Sequence, residues 1–106
     1  MAQAEVIKSL QKYIAILKKN GINIQKAFLY GSYARNEQRP DSDIDIMLIS
    51  EIYDSYDIRV KAKAWLYRKE VDLRIEPFTI GYNKFYSDND SALVSEVKKE
   101  GIEIAI

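Results

Sequence analysis

Cysteine and histidine are both missing from this 106-residue chain. Without cysteine the chain forms no disulfide and offers no thiolate to a metal ion. Without histidine it also lacks the commonest general base and the commonest zinc ligand. Any catalysis must therefore depend on carboxylates, hydroxyls, lysine or arginine.

A net charge and a long apolar run are missing as well. Sixteen basic residues balance sixteen acidic ones, so no overall positive charge is available to hold a long nucleic-acid backbone. No stretch approaches the roughly 20 apolar residues that cross a membrane, and the first residues do not form a secretory signal. We therefore expect a cytoplasmic protein with no membrane association and no strong nucleic-acid signal.

What the chain does contain is typical of a soluble globular protein. Hydrophobic residues make up 47% and charged residues 30% of the sequence, which is unlike the composition of a disordered tail. The length suits one domain, and no linker, repeat or low-complexity stretch interrupts it. We expect a single domain over residues 1–106.

The apolar periodicity predicts the element order α-β-α-β-α-β-α. Strands are predicted over about 24–30, 43–50 and 71–78. Helices are predicted over about 3–19, 33–37, 55–69 and 91–100, with a helical turn near 82–86. In the third helix the expected apolar side consists of Ile58, Ala62, Trp65 and Leu66. This order predicts an α/β (α+β) fold with a small mixed sheet flanked by helices.

Two aspartates carry the strongest chemical signal. Asp43 and Asp45 are two residues apart in a predicted strand, so both project from the same face. Neighbouring like charges repel, and aspartate is a poor strand former, so the pair is unfavourable without a cation. Mg²⁺ prefers carboxylate oxygens and completes its shell with water and phosphates. The pair therefore predicts a magnesium site.

Asp72 is the expected third carboxylate, on the polar face of the predicted strand 71–78 with Arg74 and Glu76. Three such groups can hold two metal ions, one activating the attacking oxygen and the other steadying the leaving group. Asp72 could instead form an ion pair with Arg74 or Lys69. Arg74 and Glu76 are candidates for contacts with the substrate or the acceptor.

Gly31-Ser32 is the expected triphosphate site, at a turn between a strand and a helix. Glycine lets the backbone approach an anion closely, and the Ser32 hydroxyl adds a donor. Ser32 could also cap the following helix. The Asp41-Ser42-Asp43 segment would be an ordinary turn if Gly31-Ser32 did not precede it at this distance.

Taken together, Gly31-Ser32, ten intervening positions and Asp43-Ile44-Asp45 resemble the signature of the DNA polymerase β nucleotidyltransferase superfamily. The longer run from Gly31 through Arg35, followed by Ser42-Asp43-Ile44-Asp45, resembles its minimal nucleotidyltransferase branch. The resemblance covers essentially the whole chain and implies a polymerase β-like nucleotidyltransferase fold. The family usually has glycine where this chain has Asn36, and asparagine is the next-best residue for a left-handed turn.

The resemblance also implies roles for these residues. Asp43 and Asp45 would bind two Mg²⁺ ions, Asp72 would bind the catalytic metal and help to deprotonate the acceptor, and Ser32 would hold the triphosphate. Apart from the resemblance, Arg35 could contact a phosphate, or it could equally be a solvated residue on the predicted short helix.

The implied reaction is the transfer of AMP from ATP to a hydroxyl. In prokaryotes such domains commonly pair with a HEPN ribonuclease, acting as its antitoxin, and some modify a tyrosine of that toxin. Two alternatives remain open from the sequence. The chain could neutralise its partner by complex formation alone, or it could adenylylate a small molecule of the aminoglycoside kind.

Overall fold

The computed structural model describes residues 1–87 and 91–106. Within these residues the chain forms four α-helices and four strands, in the order α1 (Gln3–Lys19), β1 (Lys26–Tyr30), β2 (Ile44–Ser50), α2 (Ile58–Tyr67), β3 (Ile75–Gly81), α3 (Tyr82–Ser87), α4 (Ala92–Glu100) and β4 (Ile102–Glu103). Short 3-10 turns follow β1, β2 and α2, at Gly31–Tyr33, Glu51–Tyr53 and Arg68–Glu70. In the part of the chain that the structure describes, no helix is long and apolar enough to span a membrane.

The four strands form one mixed sheet in the order β3-β2-β1-β4. β2 pairs in parallel with β3, and β1 pairs in antiparallel fashion with both β2 and β4. The parallel pair needs a crossover connection, which α2 supplies. The expected small mixed sheet with flanking helices is confirmed.

Each face of the sheet carries its own apolar core. Alternation along β2 sends Ile44, Ile46 and Leu48 into the larger core, which α1 and α2 cover. Met47 and Ile49 point to the opposite face and pack with α3 and α4 in the smaller core. β2 therefore contributes side chains to both cores. Asp45, the polar residue near its start, lies on the face of the smaller core.

Several element boundaries differ from the sequence prediction. β1 begins at Lys26, although the preceding Ile22 and Ile24 are buried as expected of core residues. The predicted helix 33–37 is replaced by the 3-10 turn Gly31–Tyr33 and a reversal after it. The tail after Gly101 forms the unpredicted strand β4, because its backbone pairs with β1.

The expected apolar side of α2 is wrong. Ala64 is the buried residue of this helix, and Val60 and Tyr67 pack partly against the core. The predicted face instead points outward, with its members exposed: Ile58, Ala62, Trp65 and Leu66. The carbonyl oxygen of buried Ala64 accepts a hydrogen bond from the Tyr13 hydroxyl of α1, which ties this side of α2 to the core.

Candidate active site

Asp43 and Asp45 lie where β2 begins, on the sheet face that carries the smaller core. Asp43 is exposed and directly precedes the strand, and Asp45 is its second residue. Ile44, between them, is fully buried on the opposite face. The predicted face of Asp45 is therefore confirmed, and Asp43, just before the strand, is close enough for its charge to act on Asp45.

The Gly31-Ser32 turn packs directly against this acidic pair. Gly31 has a φ of +75°, in the left-handed region that favours glycine. A Cβ at this position would overlap Oδ2 of Asp45 and lie 3.3 Å from its carboxyl carbon. The tight turn and the Asp45 carboxylate are thus in contact. The fold brings them together although more than ten residues separate them in the sequence.

Asn36 ends this turn in the way that the sequence predicts. Its φ is 56°, which makes it the sole described non-glycine residue with a positive φ. The Asn36 amide donates to the carbonyl oxygen of Tyr33 at 3.3 Å, and the Glu37 amide donates to that of Ser32 at 2.9 Å. These two bonds form a Schellman motif, with Asn36 at the position that glycine usually takes. The turn survives the replacement of glycine.

The Asp45 carboxylate lies in a negative environment. Partial burial, Glu76, Asp43 and Glu96 raise its pKa to about 6, and Arg35 opposes the shift. The Arg35 guanidinium is shared with Glu37 at 3.4 Å and Glu100 at 4.0 Å, so it neutralises Asp45 only partly. An unneutralised cluster of this kind attracts a cation.

Tyr30 lies beside Asp45 on the same face of the sheet, as its cross-strand partner in β1. Burial, together with the charges of Asp45, Glu76 and Glu96, raises the pKa of Tyr30 to about 12. The Tyr30 hydroxyl therefore stays protonated at neutral pH and is a donor, not a base.

Glu76 lies on the polar face of β3, as the sequence predicts, but its closeness to Asp45 was not predicted. In the parallel β2–β3 pair, Asp45 and Glu76 are register partners, so both side chains emerge from the same face. The sequence assigned Glu76 to substrate or acceptor contacts. Alternation with the buried Ile75 and Pro77 accounts for the face on which Glu76 lies, and only the pairing of β3 with β2 brings it opposite Asp45.

Asp72 lies in a turn that precedes β3, so its expected place on the strand is wrong. The Asp72 carboxylate accepts hydrogen bonds from the backbone amide of Arg74 at 2.9 Å and from its guanidinium at 2.7 Å. The Ile75 amide in turn donates to the Asp72 carbonyl oxygen, so the chain curls before it can extend. Arg74 lowers the pKa of Asp72 and holds the carboxylate in the ion pair that the sequence left as an alternative.

The donor set at this site suits Mg²⁺ bound together with a nucleotide. Among residues 1–87 and 91–106, no three carboxylates or other metal-binding side chains are close enough to enclose an ion by themselves. Mg²⁺ in proteins is usually held by one or two carboxylates and completed by substrate phosphates and water. Asp43 and Asp45, next to the Gly31-Ser32 turn, match that requirement.

A mixed sheet that presents paired aspartates beside a glycine-serine turn has the arrangement of a nucleotidyltransferase. The family model described as polymerase beta nucleotidyltransferase matches residues 11–105. The chain belongs to this family, and it is a nucleotidyltransferase.

Two relatives come from Methanocaldococcus jannaschii, and both are provisionally named protein adenylyltransferases. One is 28% identical over 104 residues, covering 94% of this chain and 96% of the relative. The other is 53% identical over 38 residues, which cover 36% of this chain and 39% of that relative. The second alignment thus spans well under half of the protein it matches.

Solved structures show the same fold. A provisionally named nucleotidyltransferase from Sulfolobus solfataricus aligns with a TM-score of 0.65 at 13% identity, covering 95% of this chain and 80% of that one. A chain from a toxin–antitoxin structure with AMP-PNP aligns with a TM-score of 0.63 at 22% identity, covering 89% and 71%. The polymerase β-like fold expected from the sequence is confirmed.

Proposed function

We propose that this chain transfers AMP from ATP to a hydroxyl of a partner protein in the cytoplasm, with pyrophosphate as the leaving group. The observation that carries the proposal is the contact between Gly31 and the Asp45 carboxylate. It brings a turn suited to phosphate together with a carboxylate suited to Mg²⁺. A nucleoside triphosphate bound there has its phosphates at the junction of the two.

Each residue of the site has a distinct part in this proposal. Asp43 and Asp45 would hold Mg²⁺, two ions in the full complex, and Gly31 and Ser32 would hold the triphosphate. Bound Mg²⁺ would offset the negative cluster and polarise the phosphate oxygens. Arg35 would give up its weak ion pairs with Glu37 and Glu100 and bind a phosphate of the nucleotide, which carries more negative charge.

For the third carboxylate we favour Glu76 over Asp72. Glu76 is the register partner of Asp45 and contributes to the shift in its pKa. Asp72, in contrast, is already paired with Arg74 and lies outside β3. Binding of Asp72 to the catalytic metal would require that pair to break. Glu76 is therefore the better candidate for drawing the proton from the acceptor hydroxyl.

The proposed acceptor is a tyrosine of a HEPN-type toxin, for which this chain acts as the antitoxin. Two comparisons support the choice of a protein acceptor. The full-length relative is provisionally named a protein adenylyltransferase. A toxin–antitoxin structure shares the fold. The alternative mode, neutralisation by complex formation alone, predicts that the double variant Asp43→Asn with Asp45→Asn still protects cells.

The transfer itself is tested with ATP labelled on either the α or the γ phosphate. The chain is incubated with Mg²⁺ and the protein encoded by the neighbouring gene. AMP transfer puts only the α label on the partner, and phosphoryl transfer would put only the γ label there. If Asp43→Asn with Asp45→Asn transfers the α label as fast as the wild type, the proposed site is wrong.

A second measurement separates Glu76 from Asp72. We expect Glu76→Gln to reduce the rate of label transfer by at least about 100-fold, because the acceptor loses its base. Asp72→Asn keeps the acceptor oxygen that takes the Arg74 amide hydrogen, so we expect it to retain most activity. Glu103→Gln, a carboxamide change on distant β4, is the matched control. The reverse ranking of Glu76→Gln and Asp72→Asn would restore Asp72 as the third carboxylate.

A further inference from the structure

The outward side of α2 carries a stripe of apolar side chains. We call this the α2 outer stripe and define it as Ile58, Ala62, Trp65 and Leu66. The three large members, Ile58, Trp65 and Leu66, are 66%, 44% and 56% exposed. Trp65 and Leu66 follow Ile58 by seven and eight residues, a spacing that places them along one side of the helix. An exposed apolar residue alone is ordinary, but a continuous helical stripe marks a contact surface.

Basic residues flank the α2 outer stripe. α2 contains Arg59, Lys61 and Lys63 and no acidic residue, and Arg68 and Lys69 follow directly. Arg59 is paired with the capping residue Asp57 at 3.4 Å, so the lysines and Arg68 carry most of the local positive charge. Over the whole chain the two signs are balanced, so this excess is local. A complementary surface would be apolar at its centre and acidic at its rim.

Part of this surface is held in a fixed arrangement. The Arg68 guanidinium lies over the Trp65 ring, 4.8 Å from its centre. It also donates to the carbonyl oxygens of Leu73 at 2.5 Å and Ile75 at 3.2 Å. Leu73, 63% exposed, extends the apolar area beside this pair. Tryptophan and arginine held rigidly before binding lose little entropy in a complex and often dominate the affinity of an interface.

We propose that the α2 outer stripe docks a protein with an apolar surface rimmed by aspartate and glutamate, and that this protein is the acceptor of the nucleotidyl group. The second part rests on the proposed function. α2 packs on the sheet face opposite to Asp45, so a partner seated there leaves the nucleotide site open. β3 follows α2 in the chain and forms one edge of the sheet. A partner seated on α2 would extend its acceptor hydroxyl around this edge to Glu76.

Two other occupants fit less well. A second copy of this chain, paired by two-fold symmetry, would bring the basic residues of α2 against themselves. An anionic membrane would need Trp65 to enter the apolar layer, yet the charged Arg68 covers its ring and would have to be desolvated with it. A protein with an apolar surface and an acidic rim would cover the α2 outer stripe and pair with the basic residues that flank it.

The test measures binding of the protein encoded by the neighbouring gene, without ATP, by calorimetry. We expect Ile58→Ser with Leu66→Ser to weaken its Kd by at least about tenfold. Lys63→Glu should weaken binding by a smaller factor and reduce the dependence of Kd on salt. The matched controls are Ile106→Ser for the apolar change and Lys12→Glu for the charge change, both at exposed positions outside α2. All variants should keep the circular dichroism spectrum and the ATP affinity of the wild type.

The outcomes separate this inference from the proposed function. If the stripe variants raise the KM for the partner in the labelling reaction and leave kcat unchanged, both proposals stand. Labelling with an unchanged KM and Kd overturns the docking surface alone. Binding that the stripe variants weaken, without any labelling, overturns the proposed function and with it the acceptor role, and leaves the docking surface standing. The inference also fails if wild type does not bind this protein. It fails as well if the stripe variants abolish a wild-type dimer or binding to vesicles of phosphatidylglycerol and phosphatidylcholine.

Discussion

At the scale of single residues, Gly31 is the position with the least freedom to change. Its φ of +75° favours glycine, and the space that a Cβ would need is filled by the Asp45 carboxylate. The two constraints are distinct, because one is a property of the backbone and the other is a contact with the site. Gly21 allows the two constraints to be tested separately, because it has the backbone constraint alone. Its φ is +89°, and nothing lies within 4 Å of an added Cβ.

We therefore predict different results for alanine at these two glycines. Gly31→Ala should lower the rate of nucleotidyl transfer by about 100-fold, because the turn or the Asp45 carboxylate must move. Gly21→Ala should cost a similar backbone strain of about 1–2 kcal/mol and leave the transfer rate unchanged. Label transfer and thermal unfolding of the two variants measure both effects. Equal activity in the two variants would show that the contact at Gly31 is unimportant.

The raised pKa of Asp45 also affects stability. Between its usual pKa of 3.8 and the raised pKa of about 6, folded protein keeps a proton that unfolded protein has released. The free energy of unfolding of the metal-free protein therefore falls as the pH rises through this window. Above this pH window Asp45 is charged in the folded metal-free protein. Its burial and the neighbouring carboxylates then lower the free energy of unfolding.

Removing this charge should stabilise the metal-free protein. We predict that Asp45→Asn raises the free energy of unfolding at pH 7.5 by about 1 kcal/mol, a value reduced to allow for solvent screening of a half-exposed carboxylate. The gain should shrink towards zero near pH 4, where Asp45 is protonated. Urea denaturation in EDTA measures it, with the exposed Asp41→Asn as control. Mg²⁺ should stabilise the wild type more than Asp45→Asn, and a gain that persists at pH 4 would contradict this explanation.

At the scale of elements, α1 and α2 are joined through a buried tyrosine. The Tyr13 hydroxyl donates to the Ala64 carbonyl oxygen at 2.5 Å, and Tyr13 is fully buried. The Tyr53 hydroxyl is also buried, but it has no hydrogen-bond partner among the residues that the structure describes. A buried hydroxyl contributes to stability only when its hydrogen bond is made.

These tyrosines give a matched pair of substitutions. Tyr13→Phe should lower the free energy of unfolding by about 1 kcal/mol, because it removes the hydrogen bond between α1 and α2. Tyr53→Phe should leave it unchanged or raise it, because it removes an unpaired polar group. Urea denaturation of both variants measures the difference. A larger loss for Tyr53→Phe would show that its hydroxyl is paired in solution.

The element predictions from sequence failed where side chains competed with the backbone pattern. Val71 through Phe78 alternates like a strand, but the Asp72 carboxylate takes the Arg74 amide and delays β3 until Ile75. The α2 pattern was right in period and wrong in direction, because periodicity shows that residues share a face and does not show which face is buried. In contrast, the ends of α1 agree with the prediction.

At the scale of the whole molecule, the last strand completes the sheet. β4 pairs with the outer edge of β1, and the Ile104 amide donates to the Ala27 carbonyl oxygen at 2.8 Å. The Ile104 side chain is 1% exposed and belongs to the larger core, which spans α1, α2 and three strands. Ile106, two residues later, is 51% exposed.

Substitution of these two isoleucines tests the contribution of the tail. Ile104→Ala should lower the free energy of unfolding by about 3 kcal/mol, because it leaves a cavity in the larger core. Ile106→Ala should change it by less than about 0.5 kcal/mol. Chemical denaturation followed both by circular dichroism and by the fluorescence of Trp65, the single tryptophan, measures both. Equal stability of the two variants would mean that β4 is not formed in solution.

The sequence by itself determined the face of β2 on which Asp45 lies and the left-handed turn at Asn36. These features depend on local backbone preferences and on the period of a strand, which neighbouring residues already fix. Tertiary structure alone decided that Glu76 faces Asp45, that Asp72 pairs with Arg74 outside the strand, and which side of α2 is exposed. The register between two strands and the packing of a helix depend on contacts between distant segments, and no local pattern contains them.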